Sequence, residues 1–342
     1  MQSKNIKISQ LDLAIVADNT SISATLNNSK MLAQWCEKLG YERFWMAEHH
    51  NMVNVASSAT SVLLTYIASH TEKIRVGSGG VMLPNHSPLI IAEQFGTLES
   101  LFPNRIDLGL GRAPGSDSHT SIAIRSDFFA QTKRFPENIV QLQKYLSDDN
   151  QYSNVRAFPG EGTNVPLWIL GSSTDSAYLA ASLGLPYAFA GHFAPRLMLE
   201  AFQIYKQNYR PNDTNPRPYT MACVNVIGAD SNEEAELLSC TLYANFLNII
   251  RNTRQPMKAP SKAILESMND MEKAQINQML GCTFVGNKET LQNQLADFVE
   301  TSGIDELMIT SHIYDFEKRL HSTQLAYEAV AALNAEKSKA VV

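Results

Sequence analysis

The sequence predicts an α/β protein that folds as a single (β/α)8 TIM barrel, and three observations lead to that prediction. The chain has 342 residues, and such a barrel takes roughly 250 residues plus insertions. Strand-like apolar runs alternate with helix-like segments along nearly the whole chain. No change of composition marks a linker between domains. We therefore expect one domain over residues 1–342, with the barrel at about 11–333 and an insertion at about 250–283, before the last strand.

The predicted elements follow one another with short connections. Gly40 is placed to end the first helix and Pro88 to begin the third. Pro136 must either kink the helix that contains it or lie in its first turn. Apolar, β-branched runs predict strands at residues 11–17, 43–47, 74–83, 106–110, 166–170, 187–190, 219–227 and 305–310. Helical periodicity predicts helices at residues 26–39, 56–69, 89–101, 128–146, 175–183, 196–209, 231–249, 288–301 and 316–333.

The main alternative is a doubly wound open sheet. That fold commonly carries a Gly-x-Gly-x-x-Gly motif after its first strand, where the motif binds a dinucleotide. Residues 17–20 read Ala-Asp-Asn-Thr instead. The missing motif favours the barrel.

Composition excludes several classes of protein. A net charge of −6 argues against a nucleic-acid-binding or anionic-membrane surface. No apolar run approaches the ~20 residues of a membrane span, and the apolar start is a poor signal peptide. The cysteines are far apart and form no C-x-x-C pair, which is typical of a reducing cytoplasm and gives no metal signature: Cys36, Cys223, Cys240 and Cys282. We expect a cytoplasmic protein.

Polar residues follow the carboxyl ends of the predicted strands, where a barrel places its active site. Five of the eight histidines lie there, and this concentration at one rim predicts a catalytic site. The rim residues are Glu48, His49 and His50 after the second strand, Gly79, Gly80, Asn85 and His86 around the third, Arg112 after the fourth, Ser172, Ser173 and Thr174 after the fifth, His192 after the sixth, and Ser311 and His312 after the last.

The adjacent pair His49 and His50 has three interpretations. It is a surface or helix-capping pair, or part of a metal site, or the source of a general acid or base near neutral pH. A metal site would use Glu48, His49, His192 and His312, but the sequence lacks a His-x-His pair on one strand.

A second pattern points to an anion between the fourth and fifth strands. Residues 171–174 (GSST) open a helix, where free N–H groups and the helix dipole favour a phosphate. A plain Ser/Thr N-cap is the simpler interpretation of that stretch. Arg112 on the adjacent strand end strengthens the phosphate interpretation. With Gly79 and Gly80 on the third strand and His49 on the second, the pattern describes a planar phosphorylated cofactor across the barrel mouth.

Several motifs resemble one known family in the same order along residues 11–330. They are 44–50 (FWMAEHH), 76–84 (VGSGGVMLP), 107–117 (DLGLGRAPGSD), 171–173 (GSS) and 184–186 (GLP). Together they are similar to the bacterial luciferase-like, flavin-dependent monooxygenases, and most closely to their single-subunit branch.

The resemblance implies reduced FMN bound at the barrel mouth. His49 corresponds to the catalytic histidine of the family, with Glu48 and His50 beside it. The Gly79–Gly80 bond stands where the family has a non-proline cis peptide under the flavin ring. A reactive cysteine of the family is replaced by Gly111, and residues 250–283 stand where luciferase has its mobile lid. The residues at the phosphate-binding positions are Arg112, Gly171, Ser172, Ser173 and Ser176.

The resemblance also implies partners and a reaction class. We expect a monooxygenase that oxidises a small aldehyde or alkane-like substrate with O2, using FMNH2 from a separate NAD(P)H:flavin reductase, and that forms a homodimer through its early helices. A hydride-transfer enzyme using the deazaflavin F420 and a non-catalytic flavin carrier remain alternatives, and light emission is not implied. A partly apolar substrate pocket is expected from Trp45, Met82, His192 and Phe193.

Overall fold

In the computed structural model, which describes residues 5–339, parallel strands form a closed barrel. The sheet contains β1 (Lys7–Asp12), β2 (Arg43–Met46), β3 (Arg75–Met82), β4 (Ile106–Gly111), β5 (Leu167–Gly171), β6 (Tyr187–Phe189), β7 (Thr220–Gly228), β8 (Thr283–Gly286) and β9 (Glu306–Thr310).

The barrel closes because the strand order returns to its start. β1 to β7 pair with their neighbours in sequence, β7 pairs with β9, and β9 pairs with β1. In that last pair Lys7 lies opposite Glu306, and Gln10 lies opposite Ile309. Eight strands therefore form the closed (β/α)8 barrel that the sequence predicts, and the open doubly wound alternative is wrong.

Helices connect the strands on the outside of the barrel. They are α1 (Ile22–Leu39), α2 (Thr60–Ala68), α3 (Pro88–Leu101), α4 (Ser118–Ile124), α5 (Phe128–Lys133), α6 (Phe135–Leu146), α7 (Thr174–Leu183), α8 (Met198–Asn208), α9 (Asn232–Ile250), α10 (Ala263–Glu266), α11 (Asp270–Met279), α12 (Lys288–Ser302) and α13 (Phe316–Lys339). None of the helices within residues 5–339 has the length and apolarity needed to cross a membrane.

The first strand begins earlier than predicted. Residues 11–17 were expected to form it, whereas β1 covers Lys7–Asp12. Ser9, Gln10 and Asp12 are polar but fully buried. Side chains alternate along a strand, so Ser9 points into the barrel, where it donates to Glu306, while Asp12 points to the outer helices and accepts from Arg319. The apolar run at residues 11–17 therefore does not mark the position of the strand. Residues 13–17 form a loop at the barrel mouth.

The structure also contains a strand that the sequence reading missed. β8 begins at the end of the predicted insertion and pairs only with β7. Asn225 lies opposite Thr283 of β8 and Thr310 of β9, so these two strands occupy opposite edges of β7. β6 has only three residues whereas β7 has nine. β8 therefore pairs with the upper edge of β7 that β6 leaves free, and satisfies its backbone hydrogen bonds.

Two helical segments differ in detail from the prediction. The helix expected at 128–146 is two helices, α5 and α6, which meet at Arg134. Pro136 lies in the first turn of α6, as one of the two options required. Helix α4 is an addition, in the stretch between the predicted strand 106–110 and the predicted helix 128–146. Asp117 caps it by accepting a hydrogen bond from the backbone N–H of Thr120 at 3.0 Å.

A cluster of buried charges fills the barrel at the amino ends of its strands. Arg43 donates through Nη1 to Asp107 (2.6 Å) and through Nε to Glu306 (2.7 Å). Arg75 Nη2 donates to Asp107 (2.6 Å), and Tyr219 Oη donates to Glu306 (2.7 Å). We call these five residues the paired cluster. Burial alone raises the pKa of Asp107, but Arg43 and Arg75 hold it below its ordinary value.

Candidate functional site

A cavity of about 260 Å³ opens at the carboxyl ends of the strands, at the end of the barrel opposite the paired cluster. Its walls are largely apolar, with Leu11, Phe189 and Met308 on different sides. Twelve of the fourteen predicted site residues line it. They are His49, Gly79, Gly80, Arg112, Gly171, Ser172, Ser173, Ser176, Trp45, Met82, His192 and Phe193. We call this space the main cavity.

Two glycines form the floor of the main cavity. The Gly79–Gly80 peptide bond is cis, as the resemblance implied. A Cβ atom on Gly79 would lie 2.7 Å from Cδ1 of Leu11, and one on Gly80 would lie 2.8 Å from the carbonyl oxygen of Gly109. Since neither position has space for a side chain, the floor is bare backbone that a flat group can approach closely.

His49 forms part of the wall just after β2. Its backbone N–H donates to the carbonyl of Ser57 at 3.1 Å, which holds the residue in place. Burial lowers the pKa of the imidazole below its ordinary value, although the Gly115 carbonyl and Glu48 favour the protonated form. The ring is therefore neutral at pH 7 and has the capacity to accept a proton.

Glu48 and His50 were predicted to be catalytic, but neither is among the residues that line the main cavity. The Glu48 carboxylate is buried and accepts the backbone N–H of Met82 and the amide of Asn85, each at 3.0 Å. Nε2 of His50 and Nε2 of His86 each lie 2.9 Å from it. Burial raises the pKa of Glu48, but these hydrogen bonds outweigh that effect and lower it to about 2.

The opposite end of the main cavity is suited to an anion. The Arg112 side chain is half exposed, and Nη2 lies 3.9 Å from Asp175, too far for a hydrogen bond. Ser173 is the N-cap residue of α7, yet its side chain makes no capping hydrogen bond. The plain N-cap interpretation is therefore wrong for Ser173. Its hydroxyl, the first N–H groups of α7 and the Arg112 guanidinium are all available to one ligand.

Ser176 has a different environment from Ser173. Its hydroxyl donates to the Ser173 carbonyl at 2.6 Å and lies 2.8 Å from the Tyr187 hydroxyl. A Cβ on Gly171 would collide with Ser176, so glycine is required for this approach. The Ser176 hydroxyl is thus already engaged and holds the loop before α7 in shape.

His192 lies on a further wall of the main cavity. Its ring packs edge-on against Phe193, with centroids 4.7 Å apart. Burial, together with His312 and His49, lowers the pKa of His192 to about 3, and Nδ1 has no hydrogen-bond partner. Within residues 5–339 no group of three or more acidic, histidine or cysteine side chains is arranged to hold a metal ion. Glu48, one ligand of the alternative metal site, is fully engaged elsewhere.

The family of the chain is decided by its sequence. The profile of the luciferase-like monooxygenases matches residues 11–306. The chain belongs to that family. Among luciferase-like monooxygenases and their relatives, it is 46% identical over 325 residues to the Bacillus subtilis protein YvbT, covering 95% of this chain and 96% of the relative. It is 43% identical over 328 residues to the Escherichia coli K12 luciferase-like monooxygenase, covering 96% and 98%.

A relative with a more specific name is the Bacillus subtilis N-acetyl-S-alkylcysteine monooxygenase, which is 32% identical over 335 residues, covering 96% of this chain and 99% of the relative. Among solved structures, apo-MsnO8 matches with a TM-score of 0.89 and 33% identity, covering 96% and 99% of the two chains. A Baeyer–Villiger monooxygenase in complex with FMN (TM-score 0.72, 15% identity, 96% and 98% covered) shares the fold. So does an F420-dependent secondary alcohol dehydrogenase (0.70, 12% identity, 95% and 99% covered).

Some residues around the main cavity of this member of the luciferase-like monooxygenase family were not predicted. Phe189, Cys223 and Met308 reach it from β6, β7 and β9. Strand alternation offered a signal for these three, because each lies inside a predicted strand. Burial raises the pKa of the Cys223 thiol, which makes it unreactive. Asn85 and His86 were placed at the rim, but their contact with Glu48 had no signal in the sequence.

Proposed function

We propose that this protein is a flavin-dependent monooxygenase that uses reduced FMN and O2 to oxidise a small organic substrate, aldehyde or alkane-like. The observation that carries the proposal is a single cavity with a bare glycine floor, a neutral histidine in its wall and an anion-binding corner. The floor fits a flat ring, the neutral histidine can accept a proton, and the corner fits a phosphate. Family membership supports the reaction class.

The residues present fit FMN. The isoalloxazine ring would lie on Gly79 and Gly80, where a Cβ would collide with Leu11 or with the Gly109 carbonyl. The phosphate would bind Arg112, Ser173 and the N-terminus of α7, because these donors have no close partner. Reduced FMN supplies the electrons with which O2 is activated.

The chain contributes exclusion of water and control of protons. Leu11, Trp45 and Phe189 shield the floor of the cavity from solvent, which protects reactive species from hydrolysis. His49 is neutral at pH 7 and accepts a proton from the reacting groups, then returns it. Glu48 and His50 act as positioning residues, because the Glu48 carboxylate ties the loop after β2, which contains His49, to the end of β3.

The substrate and partners follow from the same cavity. Its apolar walls suit an aldehyde, alkane or thioether carbon chain, and the relative named N-acetyl-S-alkylcysteine monooxygenase is consistent with the last of these. Reduced flavin would come from a separate NAD(P)H:flavin reductase. The homodimer implied by the resemblance stays a prediction; helices α2 and α3 expose Val62 and Ile90, which a partner subunit would cover.

An anaerobic titration with FMN, FMNH2 and F420, followed by absorbance, tests the cofactor. We expect FMNH2 to bind more tightly than FMN, and F420 to bind weakly. Tight binding of F420 with none of FMN would replace the proposal by hydride transfer, which the fold also supports in other proteins. Tight binding of oxidised FMN without any reductase-dependent oxidation would indicate a flavin carrier.

The His49→Ala variant tests the catalytic role. We expect FMN binding to be retained and substrate oxidation to fall by about 10²–10⁴-fold, the usual contribution of a general acid or base. The matched control is His321→Ala, because His321 is on the surface and pairs with Asp230. Unchanged turnover in His49→Ala would remove His49 from the mechanism.

A further inference from the structure

A second, smaller cavity lies beside the main cavity, with a volume of about 30 Å³. It is enclosed by the loop after β1, the first turns of α1 and the segment between β9 and α13. Met257 of the insertion forms its roof, because its backbone bonds to Val16 (2.8 Å) and Asp18 (2.9 Å). Leu13 lines the main cavity and Ala14 lines the small one, so the two share a wall.

The small cavity is lined by buried polar groups without partners. Thr25 is 4% exposed, and its hydroxyl makes no hydrogen bond. Arg319 is 8% exposed, and its Nε–H is likewise unpartnered. A buried donor without an acceptor costs free energy, so a ligand that accepts from both groups is favoured.

His312 adds a third donor to this cavity. Its Nδ1 lies 3.4 Å from the amide nitrogen of Asn245, which can only donate, so Nδ1 accepts. Burial lowers the pKa of His312 to about 3, and the ring is therefore neutral. A neutral ring that accepts at Nδ1 carries its proton on Nε2. That atom is buried and has no partner, and the residue is 8% exposed.

The positive charge of Arg319 is paired with the negative charge of Asp12. Nη2 of Arg319 donates to Asp12 at 2.7 Å, so the guanidinium is anchored and its Nε–H is held in place. Thr25, His312 and Arg319 can each donate one hydrogen bond, and three donors exceed the two lone pairs of a carbonyl oxygen. Oδ2 of Asp12 is a buried acceptor without a partner, but Asp12 does not line the cavity. A carboxylate offers about four acceptor positions on two oxygens. The cavity volume also exceeds the roughly 10–15 Å³ that one water needs, which leaves room for a group of about three atoms.

We propose that the small cavity is a binding site for a carboxylate group of formate size, held by Thr25, His312 and Arg319. The site is separate from the flavin corner of the main cavity, and it does not depend on the proposed function. Ordered water would satisfy the same donors, and the experiment below distinguishes the two.

The test is a titration of the full-length protein, labelled with ¹⁵N-histidine, with sodium formate at constant ionic strength. Sodium chloride is the reference salt. We expect formate, and not chloride, to shift the His312 imidazole signal in a saturable way. Thr25→Val removes one donor from the carboxylate and should weaken formate binding by about tenfold.

The matched control is Thr241→Val, because Thr241 is also a buried threonine with an unpartnered hydroxyl but does not line the cavity. It should bind formate as the wild type does. Arg319→Lys, which keeps the charge and removes Nε–H, is a second variant and should also weaken binding. A cavity that holds only water would give no saturable formate shift, and that result would overturn the proposal. So would a formate affinity in both Thr25→Val and Arg319→Lys that is unchanged from the wild type.

Discussion

The two ends of this barrel treat their polar groups in opposite ways. At the amino ends of the strands, every charge of the paired cluster meets a partner within 2.7 Å. At the carboxyl ends, His192, His312 and Arg319 keep buried nitrogen atoms without partners, and Arg112 has no close acceptor. One end is therefore satisfied from within the chain and stabilises the fold. The other end leaves several nitrogen atoms without partners in the chain.

The largest effect is expected from breaking the satisfied end. Arg43→Met leaves Glu306 buried without its cation, because Arg75 pairs with the carboxylate of Asp107 and not with that of Glu306. We expect the free energy of unfolding to fall by about 3–5 kcal/mol, as for other buried pairs that lose one partner. Urea denaturation measures it. In a matched variant, Lys7→Met removes an exposed pair with Glu42 and should cost less than about 1 kcal/mol. Equal costs in the two variants would contradict the comparison.

Acid should destabilise the open end first. His192 and His312 have folded pKa values of about 3, below the ordinary 6.5 of an unfolded histidine, because both are buried. Between these values only the unfolded state binds their protons. The free energy of unfolding should therefore fall as the pH drops from 6.5, by about 1.4 kcal/mol per pH unit for each histidine.

The satisfied end should respond only at lower pH. The pKa of Asp107 lies below 3.8, so its contribution is present above that pH and is lost as the pH falls through the folded value. Urea denaturation from pH 8 to pH 4.5 isolates the histidines, because that range lies above 3.8, where Asp107 keeps its contribution. His192→Gln with His312→Gln should flatten the slope below pH 6.5, whereas His321→Gln, at an exposed site, should not. A wild-type slope in the double variant would show that these histidines are not the cause.

Removing Arg112 should affect binding and leave stability unchanged. Arg112→Ala is expected to weaken FMN binding by about 2 kcal/mol, or roughly thirtyfold, the value of a hydrogen bond between charged groups. Unfolding should change by less than about 0.5 kcal/mol, because the side chain is half exposed and makes no close contact. Riboflavin, which lacks the phosphate, is the control ligand in a fluorescence titration. An equal loss of riboflavin affinity would show that Arg112 does not bind the phosphate.

The smallest effect separates two serines at helix N-termini. Ser173 makes no capping bond, so Ser173→Ala should weaken FMN binding by about fivefold without loss of stability. Ser21 accepts from the backbone N–H of Ala24 at 3.2 Å, so Ser21→Ala should cost about 1 kcal/mol of stability and no affinity. Flavin titration and urea denaturation of both variants test this. The reverse outcome would mean that Ser173 caps its helix in solution.

The sequence predicted the barrel and most of the rim correctly, because both depend on local patterns. Strand ends are recognised by the change from apolar to polar residues, and a parallel barrel brings those ends to one face. The sequence alone therefore places His49, Gly79, Gly80 and Arg112 at one rim, and all four line the main cavity. The phosphate site that we propose rests on the same argument, applied to two adjacent strands.

Long-range contacts limited the rest of the prediction. The predicted β1 starts too late because Ser9 and Gln10 are polar although they are fully buried, which conceals the buried character of the strand. β8 pairs with the part of β7 that the short β6 leaves free, and the sequence of one segment cannot reveal the length of another strand. Glu48 and His50 were assigned to catalysis, whereas the Glu48 carboxylate bonds to a loop 34 to 38 residues away. The direction of that side chain is decided by the fold.

The position of β8 has a consequence for how this protein can evolve. The barrel closes through β7 and β9 without using the segment from Arg251 to Cys282, and β8 ties the end of that segment back to β7. Insertions and deletions there need not alter barrel closure. Since Met257 roofs the small cavity, such changes can give descendants new ligand preferences while the inherited folding unit stays intact.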